Sequence, residues 1–176
     1  PDALDNDAEL LKKLAAIRIA ASVAMGIGRN PQEAAEKRTV PFVGFISGPQ
    51  DAKTLSGEAI AASQVDLTGR MISNGQPHRA LPLTASLCMS VAARIKGSVV
   101  YEATRPTDDP TSELRIAMPS GILTVAAKVY QKDGAWYAEE GAFFRTQRRL
   151  FEGSVLVRSS LVPGYRAASG DKRKAA

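Results

Sequence analysis

The chain has 176 residues, of which 44% are hydrophobic and 23% charged, so it is long enough for one domain with a sizeable core. It contains no apolar run of transmembrane length, and its acidic, polar start lacks the features of a signal peptide. A single cysteine excludes an internal disulfide framework, and a single histidine argues against a catalytic zinc site. We therefore expect a cytoplasmic protein with no metal or other cofactor.

The formal net charge is +5, and basic residues are concentrated towards the C-terminus. We expect residues 164–176, which are small, polar and charged, to form a disordered basic tail. Aromatic residues make up only 6% of the chain, and no nucleic-acid-binding motif accompanies the basic segment. The composition therefore predicts neither a nucleic acid nor a membrane as a partner.

In chain order, the first predicted element is a helix from Asp5 to Ile27, in which apolar residues recur at helical spacing. Polar residues at positions 5–7 can cap its start, and two glycines end it. A strand is predicted from Thr39 to Ser47, followed by a loop with a short turn over residues 51–64. The segment from Gln64 to Ser73 alternates apolar and polar residues, which predicts a half-buried strand.

The second predicted helix runs from Leu83 to Ile95 and is apolar on nearly every face, which is typical of a buried helix. Thr84 or Ser86 can begin this helix. Cys88 lies about one turn inside it, whereas reactive thiolates favour exposed helix N-termini or basic neighbours. We therefore interpret Cys88 as a small buried hydrophobic residue.

The rest of the chain is predicted to be strands: Ser98–Ala103, Glu113–Ala117, Ile122–Tyr130, Ala135–Thr146 and Ser154–Ser159. Asp133-Gly134 is a strong hairpin signal between two of them. No repeat or linker divides residues 1–163, which we expect to form one domain. Six or seven strands with two helices predict an α+β fold, with a mostly antiparallel sheet around a buried central helix.

The turn before the second helix holds the only histidine of the chain, and no motif for a serine nucleophile, phosphate loop, dinucleotide or zinc protease is present. Unpaired backbone N–H groups from Leu83 to Ser86, together with the helix dipole, would favour an anion. His78 and Arg79 beside them could hold a carboxylate, with Thr84 and Ser86 adding hydroxyl donors. The alternative, which spacing alone favours, is a helix capped by Thr84 with His78 and Arg79 on the surface.

A second candidate is the tight turn Met118-Pro119-Ser120-Gly121 between two predicted strands. Its proline and glycine fit turn geometry. The turn is either an ordinary hairpin or a second set of backbone donors that face the same ligand.

Three separated blocks, SNGQPHRALPLTASLCMSVAARIKGSVV, RIAMPSGILTVAAKV and RTQRRLFEGSVLVRSS, occur in this order. Together they resemble the PrpF family of 2-methylaconitate cis-trans isomerases, which are related to 4-oxalomesaconate tautomerases. The resemblance runs from about Leu4 to Ser160 and implies a diaminopimelate-epimerase-like fold, in which each of two similar domains wraps a sheet around a central helix. The chain resembles only the C-terminal half of the family, which fits its first residue being Pro.

The resemblance implies an isomerase that moves an allylic proton on an unsaturated tricarboxylate such as 2-methylaconitate or 4-oxalomesaconate. This chemistry needs a base, an acid and donors that stabilise an enolate-like intermediate. In the family, the lysine and cysteine proposed for proton transfer lie in the N-terminal half, so we expect no catalytic residue here and an inactive isolated chain. The implied substrate-binding residues of this half are His78, Arg79, Thr84, Ala85, Ser86, Pro119, Ser120 and Gly121.

Two departures from the family pattern affect the substrate contacts, since Leu83 stands where relatives often carry Gly and Met118 where they often carry His. The expected partners are a small di- or tricarboxylate and the missing N-terminal half, with a homodimer as a further alternative. A different class of function also fits the residues. The chain could be a non-catalytic, stand-alone carboxylate-binding or scaffold domain with the same fold.

Overall fold

The structure is a computed structural model that describes residues 2–109, 111–145, 147–158 and 161. It divides into two units, residues 1–145 and 146–176, which are described separately. In the first unit the helices are α1 (Asp2–Asp5), α2 (Ala8–Ala24), α3 (Pro31–Glu36), α4 (Leu83–Ala92) and α5 (Val99–Ala103). The strands are β1 (Val43–Ser47), β2 (Ala52–Lys53), β3 (Ala59–Ile60), β4 (Leu67–Ser73), β5 (Gln76–Pro77), β6 (Leu114–Met118), β7 (Gly121–Lys132) and β8 (Ala135–Phe143).

The predicted first helix corresponds mainly to α2, which Asp7 caps by accepting a hydrogen bond from the Leu10 N–H at 2.9 Å. Asn30 and Pro31, which follow the two glycines after α2, begin α3, because the Asn30 side chain accepts a bond from the Glu33 N–H. The buried Arg18 joins the two helices by donating to the carbonyls of Ala34 and Lys37, at 3.1 and 2.9 Å.

The main sheet has the strand order β1-β4-β6-β7-β8, with β5 paired to β4, while β2 and β3 form a separate hairpin. All its pairs are antiparallel except β4 and β6, which run parallel in the register Leu67↔Ile116. They run parallel because the chain returns to the sheet through the two intervening helices, α4 and α5. The α+β prediction is confirmed, and the sheet is mixed. The Asp133-Gly134 turn is also confirmed, with φ of 52° and 79° as a two-residue hairpin requires.

Helix α4 covers one face of this sheet. Met89 of α4 and Ala93, directly after its end, belong to the core cluster, and Ala85 of α4 is also buried. The core side chains of the sheet are Leu67, Leu114, Ile116, Leu123 and Val125. Gly69 of β4 allows the close approach, since a Cβ there would lie 2.7 Å from the Met89 Cε.

The prediction that this helix is buried on all faces is wrong, as is the buried environment predicted for Cys88. Leu83, Thr84 and Cys88 are exposed. The apolar sequence of α4 is a property of the helix alone, whereas burial depends on what lies against each face. Within the described residues, the sheet covers only one side of α4.

The strand predicted from Ser98 to Ala103 is also wrong, because these residues form α5. The Ser98 hydroxyl accepts a hydrogen bond from the Tyr101 N–H at 3.0 Å and donates one to the Ala92 carbonyl at 2.6 Å. These bonds cap α5 and join it to the end of α4. The cap overrides the strand preference of the two valines that follow Ser98.

In the second unit, residues 147–158 form neither helix nor strand, and Val155 and Leu156 are exposed. The strand predicted from Ser154 is therefore wrong over residues 154–158, and Ser159 lies outside the described residues. Alternating apolar residues favour a strand, but a strand also needs hydrogen-bond partners on a neighbouring strand. The predicted basic tail, residues 164–176, also lies outside the described part of the chain.

Candidate functional site

The turn that precedes α4 is held by the hairpin of β4 and β5. Asn74 and Gly75 form its tip with φ of 53° and 79°. The N–H of His78, directly after β5, donates to the Met71 carbonyl at 2.9 Å. The half-buried His78 ring makes an edge contact with Phe42, with 6.1 Å between ring centroids. The position of His78 is therefore fixed by both backbone and ring contacts.

Arg79 is exposed and forms an ion pair with Asp5, with 2.6 Å between Nη2 and Oδ2. Exposed pairs of this kind contribute about 0–1 kcal/mol. A ligand carboxylate could therefore replace Asp5 at little cost in stability. The ion pair also places the start of the chain beside the turn that precedes α4.

Pro82 is the N-cap residue of α4, and no side chain caps it. The prediction that the Ser86 N–H is unpaired is wrong, because this N–H donates to the Pro82 carbonyl at 2.9 Å. The buried Ser86 hydroxyl donates to the Leu83 carbonyl at 2.7 Å. The backbone N–H groups without a helical acceptor are thus those of Leu83, Thr84 and Ala85, which is the arrangement that favours an anion.

The turn between β6 and β7 lies beside the start of α4. The Leu81 N–H contacts the Met118 Sδ at 3.3 Å, which joins two segments that are 37 residues apart. Pro119 is buried and its carbonyl accepts a bond from the Leu55 N–H at 2.8 Å, while Ser120 is exposed. Gly121 has a φ of 138°, which favours glycine. Two of the predicted segments, the start of α4 and this turn, are therefore neighbours.

Arg70 of β4 is a residue of this region that the sequence analysis did not select. Its half-buried guanidinium donates through Nη1 to the carbonyls of Gly69 and Ala117, at 2.8 and 3.3 Å. Burial lowers the pKa of Arg70, and no carboxylate in the described part of the chain pairs with it. The signal in the sequence was a single cation in an otherwise apolar and small-residue strand.

Asp66, just before β4, belongs to a structural cluster instead. Its carboxylate accepts bonds from the backbone N–H, Nε and Nη2 of Arg115 at 2.9, 3.0 and 2.7 Å, and Arg105 lies 3.7 Å away. Burial raises the pKa of Asp66, but the hydrogen bonds from Arg115 outweigh that effect and the pKa is lowered. This cluster fixes the start of β4 against β6.

An apolar groove of about 490 Å³ lies along the exposed face of α4. One wall is the loop of residues 39–42, and the other includes Thr84, Cys88 and Ala92.

Among the described residues, no three His, Cys, Asp or Glu side chains are grouped as metal ligands. No helix in the described ranges is both long and apolar enough to cross a membrane.

A sequence model of the PrpF protein family matches residues 1–158. The chain belongs to the PrpF family. It is 36% identical to 3-methylitaconate isomerase of Eubacterium barkeri over 159 residues, and 33% identical to 2-methyl-aconitate isomerase of Shewanella oneidensis over 156 residues. Each alignment covers 89% of this chain but only 40% and 39% of the relative, so the chain spans about two fifths of their length.

The solved structure of a methylitaconate-delta-isomerase is similar to this fold, with a TM-score of 0.74 and 31% sequence identity. The match covers 96% of this chain and 43% of that one. The architecture described above is therefore that of one part of a PrpF-type protein.

Proposed function

We propose that this chain is the substrate-binding part of a PrpF-type isomerase that shifts an allylic proton on an unsaturated tricarboxylate, such as 2-methylaconitate or 4-oxalomesaconate. The observation that carries the proposal is the contact of the Leu81 N–H with Met118, which makes the uncapped start of α4 and the Pro119–Gly121 turn neighbours. Two sets of backbone N–H donors can then bind the carboxylates of one polyanionic ligand.

The residues of this site differ in what they contribute. Leu83, Thr84 and Ala85 supply backbone N–H groups at the positive end of the helix dipole, and Thr84 adds an exposed hydroxyl. His78 and Arg79 flank these groups. Ser86 stabilises the first turn of α4 rather than binding the ligand directly, since both its N–H and its hydroxyl bond within the helix.

The same donors suit the proposed reaction. Loss of an allylic proton leaves negative charge that spreads through the double bond onto the conjugated carboxylate. N–H groups and a helix dipole aimed at that carboxylate stabilise the charged intermediate more than the substrate, which lowers the barrier. Arg70, a cation beside the carbonyl that precedes Met118, adds positive potential at the same end of the sheet. The groups that remove and return the proton belong, in this proposal, to the remainder of a PrpF-type chain.

We also propose that residues 1–163 form one diaminopimelate-epimerase-like domain, followed by a basic tail over residues 164–176. The mixed sheet with α4 on one face supports the domain part of this proposal. In this proposal, the uncovered face of α4 packs against residues of a longer PrpF-type chain, from the part that this chain does not span.

The proposal is tested by titrating the ¹⁵N-labelled chain with cis-aconitate, an unsaturated tricarboxylate, and following the backbone amide resonances. We expect saturable shifts at Leu83–Ala85 and at Ser120 and Gly121. The trimethyl ester of the same acid, which has the same carbon skeleton but no charge, should leave these resonances in place. Shifts confined to the arginines and lysines after residue 145 would contradict the site.

A further inference from the structure

We propose that Asn74 is a site of spontaneous modification, at which the backbone N–H of Gly75 attacks the Asn74 side chain and water completes its conversion to aspartate and isoaspartate. Asn74 and Gly75 form the exposed tip of the β4–β5 hairpin. The modification changes the turn that leads to His78. It concerns the covalent state of the chain, so it goes beyond carboxylate binding and does not depend on it.

The residues at the tip leave both reacting groups available. Gly75 has no side chain, so its nitrogen can approach the Asn74 Cγ more closely than the nitrogen of a larger residue could. Among the described residues, the Gly75 N–H has no hydrogen-bond acceptor, and the Asn74 side chain bonds to no partner. The nucleophile and the group that it attacks therefore lie next to each other in an exposed turn.

The other two asparagines of the chain lack this arrangement. Asn30 precedes Pro31, whose nitrogen carries no hydrogen and cannot attack, and the Asn30 side chain accepts a bond from the Glu33 N–H at 2.9 Å. Asn6 precedes Asp7, whose side chain crowds the attacking nitrogen. We therefore expect the reaction at Asn74 and not at the other two.

The reaction needs only water as an added reactant. A bond forms between the Gly75 nitrogen and the Asn74 Cγ, the bond from Cγ to Nδ2 breaks, and Nδ2 leaves as ammonia with the Gly75 proton. The product is a cyclic imide, a succinimide. Water then adds to either ring carbonyl. Breakage of the Cγ–N bond gives aspartate, whereas breakage of the backbone C–N bond gives isoaspartate, in which the main chain passes through the side chain of residue 74.

The hairpin that holds the tip is short. β5 pairs with β4 through only two residue pairs, Ile72↔Pro77 and Ser73↔Gln76. Local opening of so short a hairpin supplies the backbone conformations that ring closure needs. The closed turn has φ of 53° and 79°, and its length sets the register of the two strands. Isoaspartate adds a backbone atom to this turn, so the original register cannot form again.

The hairpin also sets the position of His78. The His78 N–H donates to the Met71 carbonyl at 2.9 Å, directly after the Ile72↔Pro77 pair, and the His78 ring contacts Phe42. A changed register of β5 weakens both contacts. The modification also lowers the formal net charge of +5 by one. We therefore expect the modified chain to have a displaced His78 and an added negative charge on the hairpin that precedes α4.

The reaction is followed by incubating the whole chain in mildly alkaline buffer and digesting samples with trypsin. The three asparagines fall in separate tryptic peptides, residues 1–12, 30–37 and 71–79. We expect the 71–79 peptide to gain about 1 Da, at residue 74, at least about ten-fold faster than the other two, and to separate into two products of that mass. Equal rates in the 1–12 and 71–79 peptides, or conversion only in urea, would overturn the proposal.

Two variants serve as matched controls. Asn74→Gln should keep the mass of the 71–79 peptide unchanged, because the longer side chain must close a larger ring. Asp133→Asn creates the same dipeptide at the Asp133-Gly134 turn, where φ is 52° and 79°. That turn joins β7 and β8, which pair from Val125 to Lys132 and open less readily. We expect slower conversion there than at Asn74, and an equal rate at both turns would contradict the role of the short β5.

The displacement of His78 is measured by proton NMR. His78 is the only histidine of the chain, so its ring protons give a single set of signals before the reaction. We expect a second set to grow at the rate of the mass change, and not to appear in Asn74→Gln. Unchanged His78 signals in a modified sample would show that the tip does not control this residue. Neither measurement uses a ligand, so this proposal and the carboxylate site can fail independently.

Discussion

Asp66, directly before β4, and Arg70, within β4, both have charged side chains, but the surroundings of these side chains give them different roles. Asp66 is almost fully buried and is satisfied by three hydrogen bonds from Arg115. Arg70 has only carbonyl partners among the described residues, so its charge is not neutralised by a carboxylate. A paired buried charge stabilises strand packing, whereas an unneutralised cation beside a turn of backbone donors favours an anionic ligand.

We predict that Asp66→Asn destabilises the chain by about 1–3 kcal/mol at neutral pH, because Arg115 loses a charged acceptor. The pKa of Asp66 is lowered from its ordinary value of 3.8. Its contribution is therefore complete above that value and is lost as the pH falls through the lower folded-state pKa. Urea unfolding at several acidic pH values should show a smaller pH dependence for Asp66→Asn than for the unmodified chain. Asp108→Asn, which removes an exposed carboxylate, is the control. An equal reduction of the pH dependence of unfolding in that variant would contradict this assignment.

Elements approach one another closely where glycines leave room. Two such glycines lie in the paired strands β1 and β4, one in each strand. A Cβ at Gly44 of β1 would lie 2.5 Å from the Arg70 carbonyl oxygen, which belongs to the backbone of β4. A Cβ at Gly69 would lie 2.7 Å from the terminal methyl of Met89 on α4. The first neighbour is held by the sheet and the second is the end of a flexible side chain.

The two contacts predict a rank order of stability. Gly44→Ala and Gly69→Ala should both destabilise the chain, within the range of about 1–3 kcal/mol typical of overpacking, with Gly44→Ala the more severe. Gly48→Ala is the control, since its Cβ would meet the Ala103 carbonyl oxygen at an ordinary 3.5 Å. Urea midpoints of the three variants measure the order. A Gly69→Ala variant less stable than Gly44→Ala would show that α4 is less able to adjust than β4.

The cap of α5 makes a separate prediction about an element. Ser98→Ala removes the hydrogen bonds to the Tyr101 N–H and the Ala92 carbonyl, so we expect a loss of about 1 kcal/mol in the free energy of unfolding. Ser98→Thr keeps the hydroxyl and should retain most of the stability. Hydrogen exchange of the α5 amides reports the change locally. If exchange in α5 is the same in Ser98→Ala, the serine is not what holds this helix.

At the scale of the whole molecule, α4 carries two features side by side. Its first turn has backbone N–H groups without a helical acceptor, and its exposed face borders the apolar groove, with Thr84 adjoining both. The proposed function divides the work between two parts of a PrpF-type chain, in which this part binds the substrate carboxylates and the remainder moves the proton.

This division predicts that the isolated chain does not isomerise 2-methylaconitate, and that activity appears when the remaining part of a PrpF-type isomerase is supplied. The assay is the change in ultraviolet absorbance or proton NMR spectrum of the substrate. Cys88→Ala, which removes the only thiol, tests the assignment of proton transfer to the other part. Activity of the isolated chain that disappears in Cys88→Ala would place the chemistry in this chain instead.

The sequence by itself determined the features whose signals lie within a few residues of one another. A helix cap within residues 5–7, the Asp133-Gly134 hairpin and the Met118–Gly121 turn follow from side chains that bond to their own backbone or permit unusual φ values, although only the structure shows that the cap is Asp7. The three sequence blocks likewise carry the family resemblance, which the family match over residues 1–158 confirms.

Only the tertiary structure decided which surfaces are covered and which distant groups meet. Helical periodicity reports that residues are apolar, not what lies against them, so the exposed Cys88 face of α4 was missed. The local strand preference of the valines after Ser98 was overruled by a cap that also bonds to the end of α4. The Leu81–Met118 contact and the Asp66–Arg115 cluster join residues far apart in the chain, and such contacts depend on how the strands are ordered in the sheet.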